Sequence, residues 1–514
     1  MAWLGRFWSG VSRSVVSGVA ACLLAACTAA SPAGGVVRFS IPADPHALDP
    51  LRIYPDIAGV EVGLVRLSYE PFIDVDEHGR PVPALLTRIP SRANGDLSRD
   101  GRTLVYHLRP EARWSDGSPV TSADVLSSLR RLLRTAGSAS GYHLIARAEA
   151  PDSHTVVLRL RRPWAPAVHT FFTYGIEPAY VAPARGGDRV DGPFRLVRWA
   201  RGDELSFRPN PRYWRGVPPV REIDVLIVPS AQTAMLLLRS GRTTFGMIPP
   251  SYRHLLAGSG LRFVSSRGAS VSAIAFNLRG TLRDPLARGA VARSIDRVRI
   301  VRRAGLGVYP LLETLQPYAS ALRDPRVHEA PYDPHGADAL FDRAGYRRAR
   351  DGMRPLRLRY VFSAESPTAV QVATLVQAAL RERGVALDLV PETTALLYDP
   401  TPAGTLRAGR FDLAYVTWPM GIDGDAADLV TCRGDANVTG YCAPPLDALE
   451  RRALEATDER ARRALYAPIE RRVARDLPVL VLLENDFLYG YRPVLGGFMP
   501  NGFVATWNAS RWRD

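Results

Sequence analysis

Residues 113–125 read Arg-Trp-Ser-Asp-Gly-Ser-Pro-Val-Thr-Ser-Ala-Asp-Val, and this run constrains the fold more than any other part of the chain. Ser115, Asp116 and Gly117 supply short polar side chains and a residue free to take positive φ, and Pro119 stiffens the backbone after them. Thr121 and Asp124 stand at capping-box spacing, with Asp in place of Glu or Gln. Val125, Leu129 and Leu132 then recur at helical intervals. Upstream, Thr103 to His107 alternates as a half-buried strand does. The spacing therefore predicts strand, tight turn and capped helix in direct succession.

The 514 residues suffice for more than one domain. Arg6 and Arg13, then an apolar stretch over residues 15–26, then Leu24, Ala25, Ala26 and Cys27 read as a processed export signal ending in a lipobox-like site. Cys27 is the expected lipid-bearing first residue of the mature chain, with a Thr/Ala/Ser/Pro/Gly tether after it. Cleavage before Cys22 and an uncleaved anchor are the alternatives, and all of them place the bulk of the protein outside the cytoplasmic membrane. The formal charge is +15, and all 66 basic residues are arginine. These arginines are scattered among acids on helix faces and are not gathered into a stripe with aromatics, so nucleic acid is not an expected partner. Without lysine, Schiff-base chemistry has no nucleophile. Cys432 and Cys442 are the only cysteines past the signal and are expected to form a disulfide; no histidine lies between them to favour zinc.

The run at 113–125, together with Asp100 and Gly101 ahead of the strand, resembles the signature of the extracellular solute-binding proteins of ABC importers, in the oligopeptide, dipeptide and nickel class. Further matches occur in order along the chain: Tyr69 to Phe72, Gly192 to Leu196, Arg208 to Trp214, Ile274 to Asn277, and two Asp-Pro helix starts at Asp284 and Asp333. The resemblance implies an α/β, two-lobed periplasmic-binding-protein-like fold of type II with the extra domain of the peptide-binding class. On that basis residues 1–26 are the signal peptide and 27–35 the tether. Residues 36–62, 186–273 and 486–514 form lobe I, 63–185 the extra domain, and 274–485 lobe II. One departure lies past Gly241, where Arg242 to Phe245 replace the acidic residue and Ile-Asp pair usual in the family.

The resemblance also places a site. Phe276 and Asn277, with the segment from Leu482 to Asn485, are hinge candidates, and Tyr142 resembles a tyrosine that faces the cleft. The loop Trp418, Pro419, Met420, Gly421, Ile422, Asp423 comes directly after a strand and is expected to emerge at the ligand. In peptide-binding relatives an Asp three residues after this Trp pairs with the peptide ammonium; here that position is Gly421, and Asp423 is the candidate substitute. Asp423, Asp425 and Asp428 lack the alternating ligands of a helix-loop-helix calcium site, and the nine histidines are spread along the chain, so no metal or other cofactor is expected.

The expected function is capture of a peptide or similar small solute by a monomeric, lipid-anchored receptor that delivers it to an ABC permease. A chemosensory or regulatory receptor on the same fold is the alternative. An exported hydrolase is a weaker one, since no Gly-x-Ser-x-Gly, His-Glu-x-x-His or phosphate-loop motif occurs, and the chain is not expected to be an enzyme.

Overall fold

The computed structural model describes residues 35–52, 60–134, 141–173, 179–305 and 307–514. The signal segment, Cys27 and the tether up to residue 34 lie outside them.

The signature run folds as its chemistry dictates. The backbone N–H of Trp114 bonds the carbonyl of Ser118 at 2.8 Å, and Gly117 turns the chain at φ +92°. Helix Ser122–Leu132 starts at Thr121, whose N–H donates to the Asp124 carboxylate at 2.9 Å. That carboxylate also accepts from Trp114 Nε1 at 3.3 Å and from the Ala184 N–H at 2.8 Å. Trp114 is 1% exposed. One acidic side chain thus caps the helix and fixes the tryptophan, leaving neither for a ligand.

Around this run lies a sheet of strands Thr103–His107, Thr155–Leu160 and Ile145–Asp152, with the hairpin Ile73–Val75 and Pro81–Pro83 beside it. This unit interrupts another. Strand Val36–Ile41 pairs in parallel with Glu222–Ile227, from Val36 opposite Glu222 to Ile41 opposite Ile227. Parallel neighbours need a long connection, and the extra unit is housed within it. Glu204–Pro209 and Phe194–Ala200 complete that sheet, and a three-stranded sheet of Phe245–Met247, Phe487–Tyr491 and Arg262–Ser266 packs beside it. Phe245 joins the two layers, with its ring 4.8 Å from Phe39 and 4.7 Å from Phe498.

The remaining lobe is built on a five-stranded mixed sheet in the order Ala386–Glu392, Arg357–Ser363, Leu413–Pro419, Ser270–Phe276, Val479–Glu484. Val479–Glu484 is buried at every position, as a strand covered on both faces must be. Helices cover both faces. Pro285–Ser294 and Pro334–Arg343 each begin with the Asp-Pro device: Asp284 accepts from the Leu286 N–H and Asp333 from the Gly336 N–H, both at 2.9 Å.

The chain crosses between the lobes at residues 267–269 and again at 485–486, between strands belonging to different sheets. The two crossings touch: the Gly268 N–H donates to Asp486, and the Asn485 N–H to the Ser270 carbonyl at 3.0 Å. A Cβ at Gly268 would stand 1.6 Å from the Asn485 carbonyl oxygen, so only glycine fits there. The first crossing therefore precedes the expected boundary at residue 274. Ser270–Phe276 is almost wholly buried in the second lobe's sheet, and that burial moves the crossing ahead of it.

Candidate functional site

A cavity of about 270 Å³ opens where the three units meet. The crossing contributes Arg267, Gly268 and Ala269, the hairpin turn of the extra unit Val75, Glu77, His78 and Gly79, and the C-terminal segment Gly502 and Phe503. The second lobe supplies Pro317, Ala319 and Ser320 on one loop and Met420, Gly421, Ile422 and Gly424 on another. The second loop leaves strand Leu413–Pro419 at the edge of the cleft, held there by the Met420 N–H on the Ala269 carbonyl at 2.6 Å. Ile422 packs against the extra unit's hydrophobic core, and the Ala165 N–H bonds the Leu454 carbonyl at 2.6 Å. Both contacts join the extra unit to the second lobe.

Met420, Gly421 and Ile422 thus line the cavity. Trp418 lies behind them, 6% exposed in the second lobe's core, where it supports the loop from inside. The other expected residues stand elsewhere. Tyr142 is 1% exposed in the extra unit's core; its hydroxyl accepts from the Phe172 N–H at 2.9 Å and its ring packs on Phe171 at 5.0 Å. Gly141 turns just ahead of it against the Trp164 ring, and this packing draws Tyr142 inward instead of into the cleft. Phe276, fully buried, ends its strand at the far side from the crossing. Asn277 spends its amide on the carbonyls of Gly409 and Phe411 at 2.9 and 2.7 Å, which anchors a neighbouring turn. Neither residue is at a crossing between the lobes. Asn485 is, and its amide bonds Ser272 Oγ at 2.9 Å.

Asp423 is committed to another residue. Both its oxygens take hydrogen bonds of 2.5 Å from Arg462 of helix Glu459–Asp476, and the two side chains are 9% and 8% exposed. A fork-to-fork pair of this kind engages both carboxylate oxygens and directs them at Arg462. Beside it, Asp425 accepts from the Tyr466 hydroxyl at 3.1 Å, and Glu450 is fully buried. Burial and neighbouring carboxylates push Asp425 and Glu450 upward. The arrangement is a scaffold that fixes the loop from behind. Cys432 and Cys442 form a disulfide just before helix Pro444–Glu455, which packs on the same scaffold. Among the described residues no group of three or more His, Cys, Asp or Glu could hold a metal ion, and no helix is long and apolar enough to cross a membrane.

The profile of the family described as bacterial extracellular solute-binding proteins, family 5 middle, matches residues 80–439. The chain belongs to this family. Its relatives include Protein XP55 of Streptomyces lividans, 26% identical over 485 residues, with 88% of this chain and 84% of that protein covered. The di/tripeptide-binding protein 2 of Pseudomonas aeruginosa is also 26% identical, over 468 residues, covering 81% of this chain and 85% of that protein. Among solved structures, the ABC transporter substrate-binding protein CtaP of Listeria monocytogenes superposes with a TM-score of 0.81 at 21% identity, covering 93% of this chain and 99% of that one. The two-lobed α/β fold is that of this family, and the protein is a family 5 solute-binding protein whose family works outside the cytoplasm.

Near the crossing, Glu484 is fully buried; one oxygen accepts from the Tyr318 N–H at 2.9 Å, and burial pushes its carboxyl up to about 7. Glu470, 5% exposed, is likewise pushed to about 7 by burial. Both titrate higher when folded than when unfolded. Their favourable protonated state is therefore fully available below the ordinary glutamate range, and its contribution is lost as pH rises through about 7. Carboxylates held low, such as Glu70 and Asp338, act only in the acid range. Unfolding followed by circular dichroism is expected to give a higher Tm at pH 5.5 than at pH 8, the slope reaching at most about 1.4 kcal/mol per pH unit for each group. Double substitution with glutamine is expected to reduce that slope, the remainder coming from other carboxyls raised by burial, such as Glu329, which is pushed up to about 8; an unchanged slope would contradict the assignment.

Proposed function

We propose that this family 5 protein captures a short peptide or similarly small solute in the cavity between its lobes and hands it to the permease of an ABC importer. It acts as a monomer tethered by a lipid on Cys27. Met420, Gly421 and Ile422 provide one wall, Trp418 braces it, and Asn485 and Gly268 lie at the pivot. The observation that carries this reading is the cavity itself. Segments more than four hundred residues apart converge there, glycine backbones at 268, 421, 424 and 502 admit close approach, and the crossing at 267–269 forms part of its lining. The di/tripeptide-binding relative supports a peptide. Gly421 in place of an ammonium-binding aspartate argues that the solute is gripped differently here.

The test is the thermal midpoint of the mature protein against a panel of peptides, sugars and chelated metals. A solute at a hundred times its Kd adds about 2.7 kcal/mol to stability, which shows as an upward shift of a few degrees. Short peptides are expected to give it. A shift only with sugars or chelates would replace the peptide, and silence across the panel would remove the receptor reading.

A further inference from the structure

We infer that Arg267 selects the charge of the solute, which docks a carboxylate or other anionic group on its guanidinium. This rests on the cleft being the solute site.

Arg267 sits in the three-residue crossing between Arg262–Ser266 and Ser270–Phe276, and its exposed side chain lines the cavity. Its backbone is pinned. The Ala269 N–H bonds the Gly502 carbonyl at 3.1 Å, and a Cβ on Gly502 would stand 2.0 Å from the Arg267 carbonyl oxygen. The guanidinium carbon lies 5.0 Å from the centre of the Tyr318 ring, which the Arg323 guanidinium also approaches, at 4.3 Å. Tyr318 is itself fixed, by its backbone N–H on Glu484 and by its hydroxyl on the Leu311 carbonyl at 2.7 Å. A cation held over an aromatic face is oriented without being neutralised.

The charge balance of the cleft points the same way. Among the described residues no carboxylate lies within 4.0 Å of Arg267. Glu484 and Asp486 feel its charge at longer range, but burial pushes both carboxyls upward. The other charged groups of the lining, Glu77 and His78, lie beside each other, with Oε1 and Nε2 3.7 Å apart. On the opposite wall Gly421 has no side chain and Asp423 is bound to Arg462. Among the described residues of the cleft lining, the guanidinium is thus a full charge without a paired counter-ion, and its planar fork matches a carboxylate in two parallel hydrogen bonds. Closure of the lobes would withdraw water from it, and an anionic group on the solute would then compensate the buried charge.

The experiment uses matched pairs that differ only in this group: trialanine against trialanine amide, and glucuronate against glucose, with N-acetyl-trialanine as the amine control. Isothermal titration is run on the wild-type protein, Arg267→Gln and Arg267→Lys. The expected result is that the wild type prefers the anionic member by about tenfold or more. Arg267→Gln removes the preference while holding the neutral member within about twofold, Arg267→Lys keeps part of it, and acetylation costs less than amidation. Because Arg267 is exposed, the Tm of unliganded Arg267→Gln should match the wild type. Equal binding of both members, or an unchanged preference in Arg267→Gln, overturns the inference and leaves the receptor reading intact. If no member of any pair binds the wild type, both fall together.

Discussion

Replacing Arg66 by methionine is expected to destabilise the protein by about 3–5 kcal/mol, because it strips the counter-charge from buried Asp74 and leaves buried Glu70 only the more distant Arg215. Arg66 lies on helix Val60–Ser68 and is 1% exposed. It pairs with Glu70 at 3.2 Å and Asp74 at 2.9 Å, both buried, and donates to the Trp507 carbonyl at 3.1 Å. Burial alone would raise Glu70; Arg66 and Arg215, with a hydrogen bond from Tyr213, more than offset it and hold its carboxyl below the usual range. Asp191, alongside, is pushed up by burial and by that same Glu70 charge. These residues come from the extra unit, from the first lobe's sheet region and from the C-terminal segment, so the cluster is the joint among them. Urea denaturation at pH 7 measures the cost. Without Arg66 the carboxyls titrate higher in the folded state, so the deficit should shrink as pH falls toward 5. A loss below about 1 kcal/mol, independent of pH, would show that the cluster does not act as a charge-compensated unit.

Arg462→Met is expected to cost a similar amount and to weaken solute binding as well. One guanidinium faces Asp423 directly and Asp425 and Glu450 nearby, all in the same low-dielectric pocket behind the loop at 420–424. Removing it leaves Asp423 without its partner and frees the loop that carries Met420, Gly421 and Ile422. About 3–5 kcal/mol of stability and at least about tenfold in affinity are expected to go together. Asp423→Asn separates a scaffold from a ligand contact. As a scaffold residue it should lose stability, with amine-bearing and amine-free solutes weakened alike. Intact stability with a selective loss of amine-bearing solutes would instead make Asp423 the ammonium partner.

The chain discloses locally what neighbouring residues decide. The turn and capped helix at 113–125 and the Asp-Pro helix starts at 284 and 333 arise from local backbone chemistry, and the fold contains each of them. The emergence of Met420, Gly421 and Ile422 at the cleft is dictated by the buried strand before them. The misplacements share a cause. Tyr142 is turned inward by Phe171, Phe172 and Trp164, and Asp423 is claimed by a residue 39 positions on; no periodicity in either segment announces such partners. The first crossing precedes its expected position because the strand Ser270–Phe276 carries no local mark of which lobe it joins. The opposite walls, at Val75 to Gly79, Pro317 to Ser320 and Gly502 to Phe503, become neighbours only through the topology. The isolated glycines at 268 and 502 were the available signal, since such positions often mark close backbone approach.

The most direct measurement is a crystal structure of the mature protein with the solute that first raises its thermal midpoint. Density for that solute is expected between the loop at 420–424 and the turn at 75–79, over the crossing at 267–269, with its anionic group on Arg267. A solute bound outside this cavity, with the cavity left to water, would contradict capture between the lobes.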